Sequence, residues 1–209
     1  MSAKSAIPAD PPIFHITHID NLPEILRQGG LWCDAQRIAK KLQTKNIAHL
    51  HIKMRRLTRP VMTRADGKLG DYVPFNFCPR SVMLYAIHQG HQDYPGGQED
   101  VVHLVSSVSR AVALGRPWAF TDRHAELGHA LHFDDLAHLD EVRWDVMGLH
   151  YWADVKEERQ AEFLVRDFFP WLAVYEVGVS TSAMAGRVAA LLQGAAHRPT
   201  VAIRPGWYY

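Results

Sequence analysis

The chain has 209 residues, 47% of them hydrophobic, and 23 Lys and Arg against 22 Asp and Glu give it a formal charge of +1. That is enough chain for one well-buried core and for one or at most two domains. No run approaches the roughly 18 uninterrupted apolar residues of a membrane span, and the opening "MSAKSAIPADPPIF" has no apolar core of a secretory signal.

Residues 1–12 are polar and Pro-rich and predict a loose N-terminal arm ahead of a single domain over 13–209. "IFHITHI" (13–19) alternates and predicts a strand. In "DNLPEILRQGGLW", Asp20 or Asn21 caps a helix, Pro23 lies in its first turn, and Gly29-Gly30 stops it. Residues 35–57 carry a basic helical pattern with a break near Thr44–Asn46. "YVPFNF" (72–77) predicts a short strand, and "SVMLYAIHQG" a helix capped by Ser81 and stopped at Gly90. "DVVHLVSSV" (100–108) predicts a strand covered on both faces, and "WAFTDRHA" a strand running into a turn. Residues 125–159, rich in His, Asp and Glu, predict helical pieces. Strands over 161–169 and 172–180, a helix over 181–194 and a final strand in "TVAIRPGWYY" complete an α+β fold with a split mixed β-sheet core and flanking helices.

The small net charge conceals an asymmetry. Between Arg37 and Arg64 lie nine basic residues and no acidic one, leaving 14 basic against 22 acidic residues elsewhere. Such a run fits a polyanionic partner, or simply a solvated basic helix. Cys33 and Cys78 form no CxxC and imply no disulfide framework, which fits a cytoplasmic protein of bacterial type. His129 and His132 with Asp134 and Asp135 have metal-like spacing but no base-position Glu, so no metal is assigned. The sequence carries no GxSxG, GxGxxG or GxxxxGK[ST].

Three constellations carry chemistry. His15 and Thr17 share one side of a strand and suit ribose hydroxyls or an amide, or are ordinary residues of a half-exposed strand. Glu162 heads the apolar strand of "QAEFLV", where a carboxylate is unusual without a partner. It fits either a charge set to meet a developing cation or a surface Glu paired with Arg159 or Arg166. In "HIKMRRLTRPV", Arg55 and Arg56 are helical neighbours and cannot share a face, so one points inward and the other outward. The pair fits phosphate binding or a helix end satisfying its own carbonyls.

The blocks "IFHITHIDNLPEIL..GGLW", "IKMRR....V", "DYVPFNFCPRSVMLYAI", "FTDRHA", "QAEFLV" and "VAIRPGWYY", in that order from Ile13 to the C-terminus, resemble the DarT family of toxins. The resemblance implies an ADP-ribosyltransferase (PARP-like) fold that moves ADP-ribose from NAD to a base in single-stranded DNA, usually thymidine. It also implies a DarG-like macrodomain antitoxin as partner. It puts the catalytic residues on Glu162 and Arg56, and NAD contacts on His15, Ile16, Thr17, Asn21, Glu24, Trp32 and Arg56. The corner "YVPFNFCPRS" then floors the NAD pocket, with the rings of Tyr72, Phe75 and Phe77 facing nicotinamide or the core, and Ser81 opening a helix toward the pyrophosphate. DNA contacts fall on Lys45, His49, Lys53, Arg55, Arg80 and His124. Residues 35–56 correspond to the family's NAD-binding element, and 124–162 to its substrate loop. Two positions depart from the common family pattern: Asn76 replaces a Tyr and Val82 a Pro. An ADP-ribosyltransferase acting on RNA or protein, or a non-catalytic nucleic-acid-binding module, shares many of these features.

Overall fold

In the computed structural model, which describes residues 6–209, the alternating "IFHITH" run forms β1 (Pro12–His18). The start of the predicted arm, residues 1–5, lies outside the described residues. The end of the arm is docked: Asp10 accepts from the Ser109 backbone at 3.0 Å and from its hydroxyl at 2.7 Å.

A 3₁₀ turn leads into α1 (Leu22–Gln28), which Gly29 ends at φ 74°, a left-handed value that glycine adopts without a Cβ penalty. β2 (Gly30–Trp32) and α2 (Asp34–Ala39) follow. The basic pattern does break, and over a longer stretch than predicted: no helix resumes until α3 (Leu50–Arg56). β3 (Tyr72–Asn76) leads into α4 (Val82–Gln89), where the Ser81 hydroxyl accepts from Leu84 N. Val82 is the first helical residue, a position whose N–H has no intrahelical acceptor.

β4 (Val101–Ser107) is buried along its whole length, as its apolar run predicts. Val102 and Leu104 enter the main core, while Val101 packs with Leu84, Ile87 and Tyr208 on the other face. After it come α5 (Val108–Val112), β5 (Trp118–Thr121), the two-residue β6 (His132–Phe133) and α6 (Trp144–Met147).

Three predicted strands are shorter than the sequence suggests. The run 161–169 divides into β7 (Glu162–Arg166) and β8 (Phe168–Pro170), because Asp167 takes φ 61° and turns the chain out of the sheet. Residues 171–173 form a 3₁₀ turn before β9 (Glu176–Val179). After α7 (Ser182–Leu191), β10 (Thr200–Ile203) ends at a 3₁₀ turn over 205–207. That turn lays Trp207 across Gly178, where a Cβ would stand 2.3 Å from the indole, so only glycine fits.

The strands form an eight-stranded mixed sheet in the order β10-β9-β4-β1-β3-β7-β5-β6, and β2 and β8 make a separate pair. β1 pairs with β4 through seven residues but with β3 through one, Phe14 opposite Asn76. Pro74 explains the gap. In a strand, one residue's N–H and C=O point to the same neighbour. The Pro74 carbonyl is taken by the His15 ring on β1 at 2.8 Å, so the N–H it lacks would have faced β1 too. A proline in the centre of the sheet thus stops the ladder, and β1 and β3 part.

Candidate active site

A cavity of about 380 Å³ opens at this split, a volume in the range of small-molecule sites. His15, Ile16 and Thr17 form one wall and Val73, Pro74, Phe75 and Asn76 the other. The connection between α2 and α3 passes over it, and Glu162 stands at its end. Asn76 is registered directly opposite Glu162, so the two side chains share a face.

Glu162 is 5% exposed and Arg56 8%. The guanidinium grips the carboxylate with both nitrogens, NH1 to Oε1 at 3.0 Å and NH2 to Oε2 at 2.9 Å. This is the bidentate geometry for which arginine is suited. Ala125 N–H adds a third donor to Oε1 at 3.2 Å, and the His124 ring stands 3.9 Å from it. Burial pushes the Glu162 carboxyl up, but the Arg56 charge, then His124 and the hydrogen bonds, outweigh it and hold the group below the ordinary glutamate value of 4.5. The carboxylate is therefore ionised at neutral pH. Its partner is neither Arg159, which lies buried against the carbonyls of Val146 and Arg80, nor Arg166, which donates to Ala65 O. The helical neighbours divide as their spacing requires: Arg56 turns inward, while exposed Arg55 donates to Glu126 at 2.8 Å.

His15 is held neutral, since burial lowers its pKa more than the Pro74 hydrogen bond raises it. With Nδ1–H given to the Pro74 carbonyl, Nε2 keeps its lone pair as an acceptor. Asn21 joins this wall to the overlying connection. Its amide donates to Thr17 Oγ1 at 3.0 Å and to Lys45 O at 2.9 Å, and its oxygen accepts from Lys45 N at 2.7 Å. Farther along the cavity, Trp32 donates to Gln28, which in turn donates to Glu24. The Trp32 ring carries Lys40 Nζ 4.4 Å from its centroid.

The sequence-predicted residues divide in two. His15, Ile16, Thr17, Asn21, Glu24, Trp32, Arg56, Phe75 and Glu162 line the cavity, joined by Lys45, His49, Lys53 and His124. Tyr72, Phe77 and Ser81 do not line it, which corrects the expectation that the whole 72–81 corner forms its floor. Tyr72 packs farther along β3 with Leu69, Ala119 and Leu164, and its hydroxyl donates to the Asp66 carbonyl, with Ala65 O beside it at 3.2 Å. Phe77 packs edge-on against Trp144 and Phe163. The Ser81 hydroxyl is occupied as the α4 cap. Arg80 and Arg55 also lie off the cavity lining, with Arg80 stacked over Tyr209 and bonded to His150 at 2.6 Å.

The basic run is also less free than its charge suggests. Arg37 and Lys53 both meet Asp34, at 2.6 and 3.1 Å, and Lys45, Arg55, Arg56 and Arg64 each have a carboxylate partner. The exposed pairs are weak in water and yield readily to a phosphate, while the buried one does not. Asp34 went unassigned from sequence although a signal existed: it is the last acid before nine cations. The backbone N–H of Ala125 gave no signal.

The suspected metal spacing does not converge. His129 pairs with Glu157 at 2.9 Å, His132 Nδ1 accepts from Met62 N, and Asp134 holds Arg64. Both thiols are buried, and burial pushes Cys78 up to about 11, too high for a nucleophile at neutral pH.

The site can be set beside known proteins. A family model described as "ssDNA thymidine ADP-ribosyltransferase, DarT" matches residues 14–209. A DNA ADP-ribosyl transferase of Thermus aquaticus is 44% identical over 206 residues, covering 98% of this chain and 91% of that protein. The structure of Thermus sp. 2.9 DarT in complex with ADP-ribosylated ssDNA superposes with a TM-score of 0.94 at 43% identity, covering 99% of this chain and all of that one. The same protein in complex with NAD+ gives 0.89 at 41% identity, covering 98% and 100%.

Proposed function

The chain belongs to the DarT family of single-stranded-DNA thymidine ADP-ribosyltransferases, and from that premise we propose that Glu162 and Arg56 carry its reaction in the split between β1 and β3. NAD is the donor substrate and single-stranded DNA the acceptor. The observation that carries the assignment of residues is the bidentate Arg56–Glu162 pair, buried at the end of a cavity whose facing wall bears His15 and Thr17.

In this reading the bond between nicotinamide and ribose C1′ breaks, and its electron pair leaves with nicotinamide, which becomes neutral. A sugar cation remains. Glu162 stabilises it with a charge already in place where positive charge develops. Among the described residues, Oε2 accepts a hydrogen bond only from Arg56, so it retains a lone pair for a ribose hydroxyl. The nicotinamide amide meets His15 Nε2, and the fully buried Phe75 backs the His15 ring. A ring nitrogen of thymine attacks C1′ and loses its proton. Arg56 does not take that proton directly, because a guanidinium has donors and no acceptor. His124 has the lone pair the step requires: burial, opposed by Glu162, lowers its pKa and keeps it neutral.

An unpaired base reaches such a pocket without being pulled from a duplex. The exposed cations Lys45, Arg55 and Arg64 exchange their surface carboxylates for phosphates, so DNA binding weakens as salt rises. By the family resemblance the enzyme is a cytoplasmic toxin with a DarG-like macrodomain antitoxin, and residues 13–209 act as one domain. No helix among the described residues is long and apolar enough to cross a membrane.

The test is incubation with labelled NAD and separate single-stranded DNA, RNA and protein acceptors, followed by mass spectrometry of the modified oligonucleotide. ADP-ribose on a thymine is the expected product. Label on protein or RNA alone, or on another base, overturns the acceptor.

A narrower expectation concerns the roof of the cavity. Asn21→Ala removes both hydrogen bonds to the Lys45 backbone, each worth about 1 kcal/mol. The KM for NAD is expected to rise on the order of tenfold, with kcat changed by less than about threefold. An unchanged KM in steady-state assays would show that the roof does not depend on Asn21.

A further inference from the structure

Outside the Arg56–Glu162 pair, a second group of side chains converges where the cavity roof meets the end of α4. Among the described residues, His49, His91 and Asp93 each bring one potential ligand atom to within 4.8 Å of the others. We propose that these three residues form a structural site for a divalent transition metal of zinc type, which ties the α2–α3 connection to the turn after α4.

Local sequence sets up the convergence. Gly90 stops α4 at φ 76°, and the chain turns back at once, closing with Tyr94 N–H on His91 O at 2.9 Å. The turn presents His91 and Asp93, two residues apart. His49 arrives from the other side as the residue before α3. The two imidazole centroids stand 4.0 Å apart, and His49 Nδ1 lies 3.6 Å from Asp93 Oδ2.

Hydrogen bonding selects the ligand atoms. His91 Nε2 lies 3.2 Å from the Ile47 carbonyl, so it carries the proton and donates. Nδ1 is then a bare lone pair, and that atom is buried without a hydrogen-bond partner. A buried acceptor left unpaired is unfavourable, and a ring that gives one N–H to a backbone carbonyl has the usual arrangement of a metal-bound histidine. Asp93 Oδ2 also accepts from Leu50 N at 3.2 Å, which orients the carboxylate.

Two imidazoles and one carboxylate suit zinc, cobalt or nickel rather than the all-oxygen preference of calcium or magnesium. Bonds of 2.0–2.1 Å at tetrahedral angles put ligand atoms about 3.3 Å apart. The 3.6 Å contact is near that spacing already, and ligation would swing the two rings apart from their 4.0 Å approach to bring the remaining ligand atoms, now within 4.8 Å, to it. Residues 45–49 line the cavity roof, so Asn21 holds one end of that stretch at Lys45 and the metal would hold the other at His49.

The probes are zinc and cobalt ions titrated into the full chain after chelator treatment. Wild type is expected to bind one equivalent of zinc, to give the visible absorption of four-coordinate cobalt, and to melt about 5 °C higher in zinc excess. His91→Gln keeps an amide donor for the Ile47 carbonyl but lacks the Nδ1 lone pair. Asp93→Asn keeps an acceptor for Leu50 N but loses the charge. Each is expected to weaken zinc at least about tenfold, with the metal-free melting temperature within about 2 °C of wild type. If His91→Gln fails to fold, Asp93→Asn alone decides. The absence of stoichiometric zinc binding by wild type overturns the site, and so does unchanged affinity in the variants.

Discussion

Glu162→Gln is expected to reduce ADP-ribose transfer on the order of a thousandfold while NAD binding stays within about threefold of wild type. The substitution preserves volume and removes charge. Most NAD contacts lie elsewhere, on the β1 wall, the roof and the Trp32 end, so ground-state affinity changes little. The missing charge matters when the glycosidic bond has broken and the ribose is a cation. With substrate filling the cavity and displacing its water, a preset carboxylate has its largest effect at that moment. Single-turnover rates on a thymidine-containing oligonucleotide, with NAD affinity from calorimetry, separate the two. A rate within tenfold of wild type would remove Glu162 from the chemistry.

Arg56→Ala is expected to lower both stability and activity, and to change how activity depends on pH. Breaking a buried pair by deleting one partner costs about 3–5 kcal/mol. Because this pair borders a cavity that admits water, the lower figure applies, or a fall in melting temperature of about 6–12 °C. Glu162 then loses the charge that opposes its burial, and its carboxyl moves up from below 4.5. In wild type the stabilising contribution of this carboxylate is complete above the ordinary glutamate value and disappears as pH falls through its lower folded value. In the variant, activity should already fail at a higher pH. Thermal melts and a pH–rate profile check both parts, and Arg56→Lys should lie between because it restores charge without the two-pronged grip. Unchanged melting together with an unchanged acid limb would show that the pair is not coupled.

Much of this was legible in the chain. Strand alternation put His15 and Thr17 on one side, and the stops at Gly29 and Gly90 appear at the predicted residues. The rule that adjacent helical residues diverge separated Arg55 from Arg56. Alternation does not sort the residues of this corner: Asn76 lines the cavity beside Phe75 although the two face opposite sides of β3, and Tyr72, on the Asn76 side, is kept out by its packing with Leu69, Ala119 and Leu164. The turn at Asp167 is not legible in the sequence, for a different reason. Nothing in "AEFLVRDFF" forbids a continuous strand, and the turn there depends on contacts with Asp71 and Cys33 in other parts of the chain.

What the sequence by itself determined is local: which segments are helix or strand, where they stop, and which residue types are available for chemistry, all through steric preference and periodicity within a few residues. Only the tertiary structure decided that the carboxylate of Glu162 belongs to the guanidinium of Arg56, 106 positions away, and that Pro74 opens the sheet against β1 and nowhere else. Those outcomes depend on which strand edges meet, and edge pairing is settled by the packing of the whole core, which no short window of residues contains.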